Sequence, residues 1–321
     1  MLAAAWFTRR LESICDRLEL SAGVLSILGA LGANIPNYVA SIDAIARGST
    51  EVGLGIIIGS NIYNIAIILG LAAFAVPGRK LLSFSSEETS QVKYVGGYAL
   101  AMMLATLLVV WLLPQHVLVP SFVNSPLATW FLLAGSLLAL GIFLSFAWHI
   151  LHRPHPAHAS QAQPASGTAG KTSSLTRLII EAVLALAVAL GGVVIMVQTG
   201  QDLTTRLHMA PVLAGLLVLA VATSLPNTVV ALSLVRTGRA AACVEEVFSS
   251  NSVNAALGIA LPLLFWHQGT DDTLLLVLDV PLMVLLLLWA FLCARRGKFG
   301  YAAGAGLLVS YVLWVGLHLF L

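Results

Sequence analysis

Residues 33–64 read ANIPNYVASIDAIARGSTEVGLGIIIGSNIYN, and residues 223–254 read TSLPNTVVALSLVRTGRAAACVEEVFSSNSVN. The two stretches align at an offset of 190 residues, and seven of the aligned positions are identical. These identities are Pro36/Pro226, Asn37/Asn227, Val39/Val229, Gly48/Gly238, Ser60/Ser250, Asn61/Asn251 and Asn64/Asn254. Chance matches in an apolar chain would mostly pair leucines, whereas these are mainly proline, glycine and polar residues. The chain therefore contains an internal repeat of a polar, proline-containing hairpin.

The chain around these hairpins is strongly apolar. Of its 321 residues, 59% are hydrophobic and 9% are charged, whereas soluble domains carry about 25% charged residues. The net charge of +2 offers no basic surface for nucleic acid. Cys15, Cys243 and Cys293 are odd in number and far apart, which predicts neither a disulfide framework nor a metal site. This composition argues against a soluble enzyme and favours a bilayer protein.

Apolar runs of membrane-crossing length recur along the chain. A membrane-crossing helix needs about 20 mostly apolar residues. Nine segments qualify, near 20–46, 52–76, 94–113, 127–151, 176–198, 210–235, 240–266, 272–294 and 299–320. The first 19 residues hold too short an apolar run to cross. The sequence predicts an all-α polytopic membrane protein with about nine transmembrane helices.

The basic residues predict how these spans are oriented. With the N-terminus in the cytoplasm, only Arg47 and Arg206 of the 16 lysines and arginines fall outside, as expected from the positive-inside rule. The C-terminus is then outside the cell. The membrane itself is expected to be the plasma (cell) membrane. The leading helix of the first copy runs outward and that of the second runs inward. This is an inverted repeat, a common design of secondary transporters.

One segment looks unlike the spans. Residues 152–175 are rich in Pro, Ala, Ser and Gly and predict a disordered cytoplasmic linker. It would join a first membrane repeat half, 1–151, to a second, 176–321. Histidines recur every three residues there, at His149, His152, His155 and His158. Interspersed prolines argue against a helix that would align them, so a solvated linker is favoured over a metal site.

The repeat also predicts a binding pocket. Pro36 and Pro226 lie mid-span, where each removes a backbone hydrogen bond and is expected to break its helix. Broken helices at membrane depth occur where they line an enclosed or wet cavity. Amides and hydroxyls flank both breaks and recur on the next spans, four residues apart on one helix face. We therefore predict an oxygen-rich pocket near the midplane, although such residues can also simply hold membrane helices together.

The two copies resemble the paired alpha-repeats of the sodium/calcium exchanger family, in the cation/calcium antiporter superfamily. Family repeats look like A-x-G-T-S-L-P-E followed by G-S-N-x-x-N or G-S-N-x-x-D. The matching segments here are 30–37 with 59–64 and 220–227 with 249–254. The resemblance implies a cation cage of side-chain oxygens from Asn34, Asn37, Ser60, Asn64, Thr223, Ser224, Asn227, Ser250 and Asn254, with backbone carbonyls of Ala30 and Ala220.

Two departures from the family pattern change this expectation. The residue after the motif proline is a glutamate in the family but Asn37 and Asn227 here, and Asn254 stands where many members keep an aspartate. Calcium usually recruits carboxylates, and a dication among neutral amides is costly, so sodium is favoured over calcium. In addition, the family usually has ten spans, and no apolar partner of the 176–198 span precedes the first copy.

These features lead to two functional hypotheses. The first is cation antiport by alternating access. Its implied partners are the lipid bilayer and inorganic cations, with sodium the favoured ion and calcium the less favoured candidate, and no further cofactor is expected. The alternative is a non-transporting membrane sensor or assembly subunit that keeps the exchanger fold. An enzyme has little support, because no intramembrane nucleophile–base set or zinc-binding motif is present.

Acidic residues inside the spans are functional candidates by default. Asp43 is expected to pair with Arg47, and Glu181 to lie at the interface. Two adjacent carboxylates, Glu245 and Glu246, either guard the inner mouth of a cation path or face water and Arg236. Asp279 has no cation nearby in sequence and is either simply protonated or a proton site.

Overall fold

The described part of the chain is almost entirely helical. The computed structural model describes residues 2–18, 30–76, 81–112, 126–152, 174–207, 211–266, 270 and 272–320. The helices are α1 (Leu2–Arg17), α2 (Ile35–Ala46), α3 (Thr50–Tyr63), α4 (Ser86–Leu112), α5 (Pro126–His152), α6 (Leu175–Leu207), α7 (Ala220–Arg236), α8 (Ala240–Ala255), α9 (Val280–Ala294) and α10 (Tyr301–Phe320). Two short strands, β1 (Leu82–Ser83) and β2 (Lys298–Phe299), pair antiparallel.

Several helices are extended by short segments of altered pitch. Wider π-helical turns occur at Asn64–Leu69, Ala214–Leu219, Ala256–Ala260 and Leu275–Asp279. Short α-helical pieces complete the runs at Gly70–Phe74, Pro211–Leu213 and Leu261–Leu263. The segments after α3 and α8 begin at Asn64 and Ala256, which is within two residues of the 190-residue offset. Single π-turns are frequent at functional sites. In each repeat, one of them begins at or just after the end of the second polar cluster.

The observed spans match the expected membrane architecture. Within the described residues, seven helical runs are long and apolar enough to cross a bilayer. They coincide with seven of the nine predicted segments. An eighth, 240–266, forms a continuous helical run to Leu263 that is rich in amides, hydroxyls and carboxylates. The ninth, 20–46, is helical from residue 30 onward apart from a turn at Asn34, and its first part, up to residue 29, lies outside the described residues. Most of the predicted linker 152–175 also lies outside them.

The repeat appears in the structure as two similar hairpins. One consists of α2 and α3, and the other of α7 and α8. Their turns contain Gly48 and Gly238, with positive φ angles of 83° and 80°, a backbone conformation in which a Cβ is strained. Both glycine N–H groups bond back to the preceding helix, at 2.9 and 3.0 Å. The two glycines are identical in the repeat alignment, and the turn that contains Gly48 has the same backbone conformation as the turn that contains Gly238.

The two motif prolines behave differently. In the first copy the helix stops at a turn on Asn34, and α2 begins at Ile35 with Pro36 in its first turn. In the second copy α7 continues through Pro226, so the break predicted there does not occur. The Thr223 hydroxyl donates hydrogen bonds to main-chain carbonyls of the preceding turn, next to a π-helical segment.

Close backbone contact joins the repeats. A Cβ on Gly55 would lie 2.9 Å from the Val212 carbonyl oxygen, and one on Gly59 would meet Leu216 and Ala220 even more closely. Small residues allow membrane helices to approach in this way. As a result α3 lies directly against the segment that leads into α7, and the polar faces of both copies meet.

The strand pair connects two distant loops. Leu82 pairs with Phe299, and Ser83 with Lys298. Six of the predicted spans separate these loops along the chain. An even number of crossings returns a chain to the side from which it started, so the pairing agrees with the predicted alternation of spans.

A further helix precedes the first repeat. Helix α1 packs along α6, and Arg10 forms a 2.7 Å ion pair with Glu181. Its 16 residues are fewer than the about 20 needed to cross a bilayer, and they include several charges. A short helix thus lies where the sequence predicts no spanning partner for α6, and its length and charges agree with the expectation that it does not cross.

Candidate cation site

The polar clusters lie about halfway along their helices. Ser60 is ten residues after the start of α3 at Thr50, and Ser250 is ten residues after the start of α8 at Ala240. At 1.5 Å per residue this is a rise of about 15 Å, half of the roughly 30 Å hydrocarbon core. Each hydroxyl is therefore about half the core thickness from the N-terminal end of its helix.

All predicted site residues are buried together. None of them is more than 4% exposed to solvent. The set comprises Ala30, Asn34, Asn37, Ser60, Asn64, Ala220, Thr223, Ser224, Asn227, Ser250 and Asn254. We refer to its nine polar side chains as the amide cage. Its members come from both hairpins, so the site exists only where the two repeats pack.

Asn34 lies at the centre of the amide cage. Its side-chain oxygen accepts hydrogen bonds from the Asn227 amide at 2.8 Å and the Asn37 amide at 3.3 Å. The two asparagines that follow the motif prolines therefore converge on one acceptor, although they belong to different repeats. The Asn34 nitrogen in turn donates to the Ala30 carbonyl at 2.7 Å and the Ser250 hydroxyl at 2.9 Å.

The Ala220 carbonyl is engaged in a related way. Ser60 donates to it at 3.3 Å, and Thr223 at 3.1 Å. The Ser60 and Thr223 hydroxyls are 3.4 Å apart. Both predicted carbonyl positions, Ala30 and Ala220, thus accept hydrogen bonds from side chains of the amide cage.

Asn61 and Asn251 hold the amide cage in register but were not among the predicted ligands. The Asn64 amide donates to the Asn251 side-chain oxygen at 3.0 Å, and the Asn254 amide donates to that of Asn61, also at 3.0 Å. These bonds are equivalent under the 190-residue offset. Asn251 also donates to the Asn61 main-chain oxygen at 3.2 Å. The signal was present, since Asn61 and Asn251 are identical in the repeat alignment.

Four oxygens of the amide cage receive no hydrogen bond from any described residue. They are the side-chain oxygens of Asn37, Asn64, Asn227 and Ser224, all buried. The amide nitrogens of the three asparagines are engaged, so it is their oxygens that are left. An unsatisfied buried polar group costs about 1–3 kcal/mol and calls for a specific explanation. Oxygen dipoles from two repeats that lack donors are suited to a hard cation.

Comparisons with known proteins identify the family of the chain. The family described as sodium/calcium exchanger protein matches residues 1–150 and 178–320. The chain belongs to the sodium/calcium exchanger family. Among curated relatives, inner membrane protein YrbG of Escherichia coli is 24% identical over 94% of this chain and 91% of its own length. The chain is thus an integral, multi-pass membrane protein of an ion-exchanger family and not an enzyme.

Solved structures show the same fold. The sodium-calcium exchanger NCX_Mj superposes with a TM-score of 0.63, at 16% identity, over 98% of this chain and 93% of its own. YfkE superposes with a TM-score of 0.70, also at 16% identity, over 99% and 89%. The predicted all-α exchanger fold with an inverted repeat is therefore confirmed at the level of architecture.

The acidic residues outside the amide cage are paired in different ways. Asp43 and Arg47 form the predicted ion pair at 2.9 Å, and Glu181 contacts Arg177 at 2.8 Å as well as Arg10.

Asp279, fully buried, is not isolated. It accepts a 2.7 Å hydrogen bond from the Trp314 indole and lies 3.3 Å from a ring nitrogen of His318. The sequence could not reveal these partners because they lie on α10, more than 30 residues away.

The histidines at the end of α5 contact aromatic rings. His149 stacks on Tyr94 with ring centroids 4.1 Å apart, and His152 stacks on Trp148 at 3.9 Å. The other two histidines of the series, His155 and His158, lie outside the described residues. These contacts give the described pair a packing role at the end of the helix.

Proposed function

We propose that this exchanger-family member is a secondary transporter that binds its cation in the amide cage and works by alternating access. The observation that carries the proposal is the set of buried oxygens without donors, on Asn37, Asn64, Asn227 and Ser224. Both repeats contribute to this set. A site shared between inverted repeats can be opened to either side of the membrane when the repeats shift.

The preferred ion is sodium. The nine side chains of the amide cage are amides and hydroxyls, so the cage itself carries no formal charge. A divalent ion in such a site loses its hydration shell without a compensating carboxylate, and this cost grows steeply with ionic charge. Calcium is therefore disfavoured as the ion bound here.

The proposed orientation has the N-terminus in the cytoplasm and the C-terminus outside the cell membrane. It is supported by the distribution of lysine and arginine between the two sides. The paired strands β1 and β2 would then lie on the cytoplasmic side, where both of their loops carry basic residues. The linker 152–175 would lie on the same side, between the halves 1–151 and 176–321.

A non-transporting role is the second candidate. Hydrogen bonds such as Asn34 to Ser250 and Asn37 to Asn254 already join the repeats without any ion. In a sensor or assembly subunit these bonds would stay closed permanently. In a transporter they must exchange with bonds to the ion during each cycle.

The decisive experiment compares ion fluxes in reconstituted vesicles. We would measure sodium exchange and sodium-gradient-driven calcium uptake for the wild type, Asn37→Glu, Asn227→Glu and the double variant. Ser136→Ala is a matched control, because it removes a buried hydroxyl that also lacks a partner but lies outside the amide cage.

Each result has a distinct meaning. Sodium exchange by the wild type, with calcium uptake only in the double variant, would support the proposal. Calcium uptake by the wild type would contradict the preference for sodium. No flux of either ion in any variant, together with no sodium binding, would favour the non-transporting role.

A further inference from the structure

The amide cage leaves the charge of a bound cation unbalanced, so a carboxylate near the cage would be needed to compensate it. The two repeat hairpins contain four acidic residues: Asp43, Glu51, Glu245 and Glu246. Asp43 is paired with Arg47. Glu51 lies in the first turn of α3, about 13 Å along the helix axis from Ser60 at 1.5 Å per residue. Neither of these two can balance an ion in the cage.

Glu246 is connected to the amide cage by hydrogen bonds. The Ser250 hydroxyl donates to a Glu246 carboxylate oxygen at 3.1 Å, and the Asn34 amide donates to the same hydroxyl at 2.9 Å. Only two consecutive bonds therefore separate the carboxylate from the central residue of the cage. Glu246 is four residues before Ser250, so both lie on one face of α8.

No basic side chain among the described residues neutralises Glu246. Among the described residues it forms no ion pair with an arginine or lysine, unlike Asp43 and Glu181. Its side chain is half-buried, between the basic start of α8 and the cage. The equivalent position in the first repeat is Ile56, which is fully buried and apolar. The carboxylate thus breaks the symmetry of the repeats at one point.

We propose that Glu246 supplies the negative charge that balances the cation in the amide cage. This inference rests on the proposed function and adds the residue that determines which valence the site accepts. One carboxylate compensates one positive charge, so the site with Glu246 is neutral when it holds a monovalent cation. A divalent cation would leave one charge uncompensated in a medium of low dielectric constant.

The test uses the purified full chain in sodium-free buffer, titrated with sodium chloride and separately with calcium chloride. Glu246→Gln removes the charge but keeps a side-chain oxygen that can accept the hydrogen bond from Ser250. We expect sodium to bind at least about tenfold more weakly to this variant. Glu245→Gln is the matched control, because neighbouring residues on a helix point about 100° apart, and its sodium affinity should equal that of the wild type.

A second variant separates charge from structure. Asn254→Asp places a carboxylate inside the cage, where its oxygen still accepts from Asn37. Among the described residues, the Asn61 amide nitrogen has two weak acceptors, both methionine sulfurs at 3.6 Å, so this amide can turn over and donate to the new carboxylate. In the Glu246→Gln background, Asn254→Asp should restore sodium binding to within a few-fold of the wild type. With Glu246 intact it should raise calcium affinity, because the site then carries two carboxylates.

The outcomes distinguish this inference from the proposed function. If the wild type binds sodium and Glu246→Gln binds it equally well, the role of Glu246 is overturned while the sodium site stands. If the Glu246→Gln variant folds normally but Asn254→Asp does not restore its binding, charge is not what Glu246 contributes. If the wild type binds no sodium, the proposed site fails, and this inference fails with it.

Discussion

The Asn254 amide donates a 3.0 Å hydrogen bond to the side-chain oxygen of Asn61, across the contact between the two repeats. Its symmetry equivalent joins Asn64 to Asn251 at the same distance. Each asparagine of the predicted cage is thus held by an asparagine of the other copy. This reciprocity explains why the same motif occurs twice, since each copy completes the other.

Removing one of these supporting amides should destabilise the protein and disorder the site. Asn251→Ala deletes the acceptor for Asn64 and the donor to the Asn61 main chain. We expect a loss of about 2 kcal/mol of unfolding free energy, because the remaining groups stay buried without partners. Thermal unfolding in detergent measures this effect. Thr228→Ala is the control, since it removes a half-buried hydroxyl bonded to Tyr63, and we expect it to lower the unfolding free energy by less. An equal loss in both variants would contradict the special role of Asn251.

Ser224 allows a test of ligation without a large structural effect. Its hydroxyl is buried and has no partner within the described part of the chain, so Ser224→Ala should leave stability in sodium-free buffer unchanged or slightly higher. A ligand that binds only the folded state raises stability by mass action. We therefore expect the rise in melting temperature on adding sodium to be smaller in Ser224→Ala than in the wild type. An identical sodium-dependent rise in both proteins would remove Ser224 from the site.

The sequence predicted the repeat and the cage members because both depend on local, repeated chemistry. The turn glycines, the motif asparagines and the serines of the two copies lie where their alignment suggested. Three features were not predictable from local pattern. Pro226 removes the hydrogen bond to the Ala222 carbonyl four residues before it, yet α7 continues through it, so the residue type alone did not decide whether the helix breaks. The position of α1 was hidden by its charges, and the partners of Asp279 lie on a distant helix.

The close contact at Gly59 should be intolerant of larger side chains. A Cβ there would collide with main-chain atoms of Leu216, so Gly59→Ala must push α3 away from the segment before α7. We expect a destabilisation of about 1–3 kcal/mol. Gly97→Ala is the control, since a Cβ there meets nothing within 4 Å and alanine favours a helix by up to about 1 kcal/mol. Similar melting temperatures for the two variants would argue against tight packing at Gly59.

The cluster of Asp279, Trp314 and His318 should stabilise the attachment of α10. Asp279→Leu leaves the buried Trp314 indole N–H without an acceptor and His318 without its carboxylate. Breaking a buried pair in this way costs about 3–5 kcal/mol. Asp279→Asn keeps an oxygen for the indole and should cost clearly less. Chemical or thermal unfolding of both variants measures the difference, and equal stability of the two would show that hydrogen bonding to Trp314 is not what the carboxylate provides.

The inverted arrangement of the repeats can be tested with two equivalent positions. Arg47 and Thr237 are exposed, adjacent to the turn glycines, and separated by the 190-residue offset. In a background with Cys15, Cys243 and Cys293 replaced by serine, Arg47→Cys and Thr237→Cys should react with a membrane-impermeant maleimide from opposite sides of the membrane. The proposed orientation predicts that intact cells label Arg47→Cys, whereas Thr237→Cys is labelled only after the cells are opened. Labelling of both from one side would contradict the inversion itself, because hairpins of the same orientation place their turns on the same surface. Labelling with the sides exchanged would keep the inversion and reverse the assignment of cytoplasm and exterior.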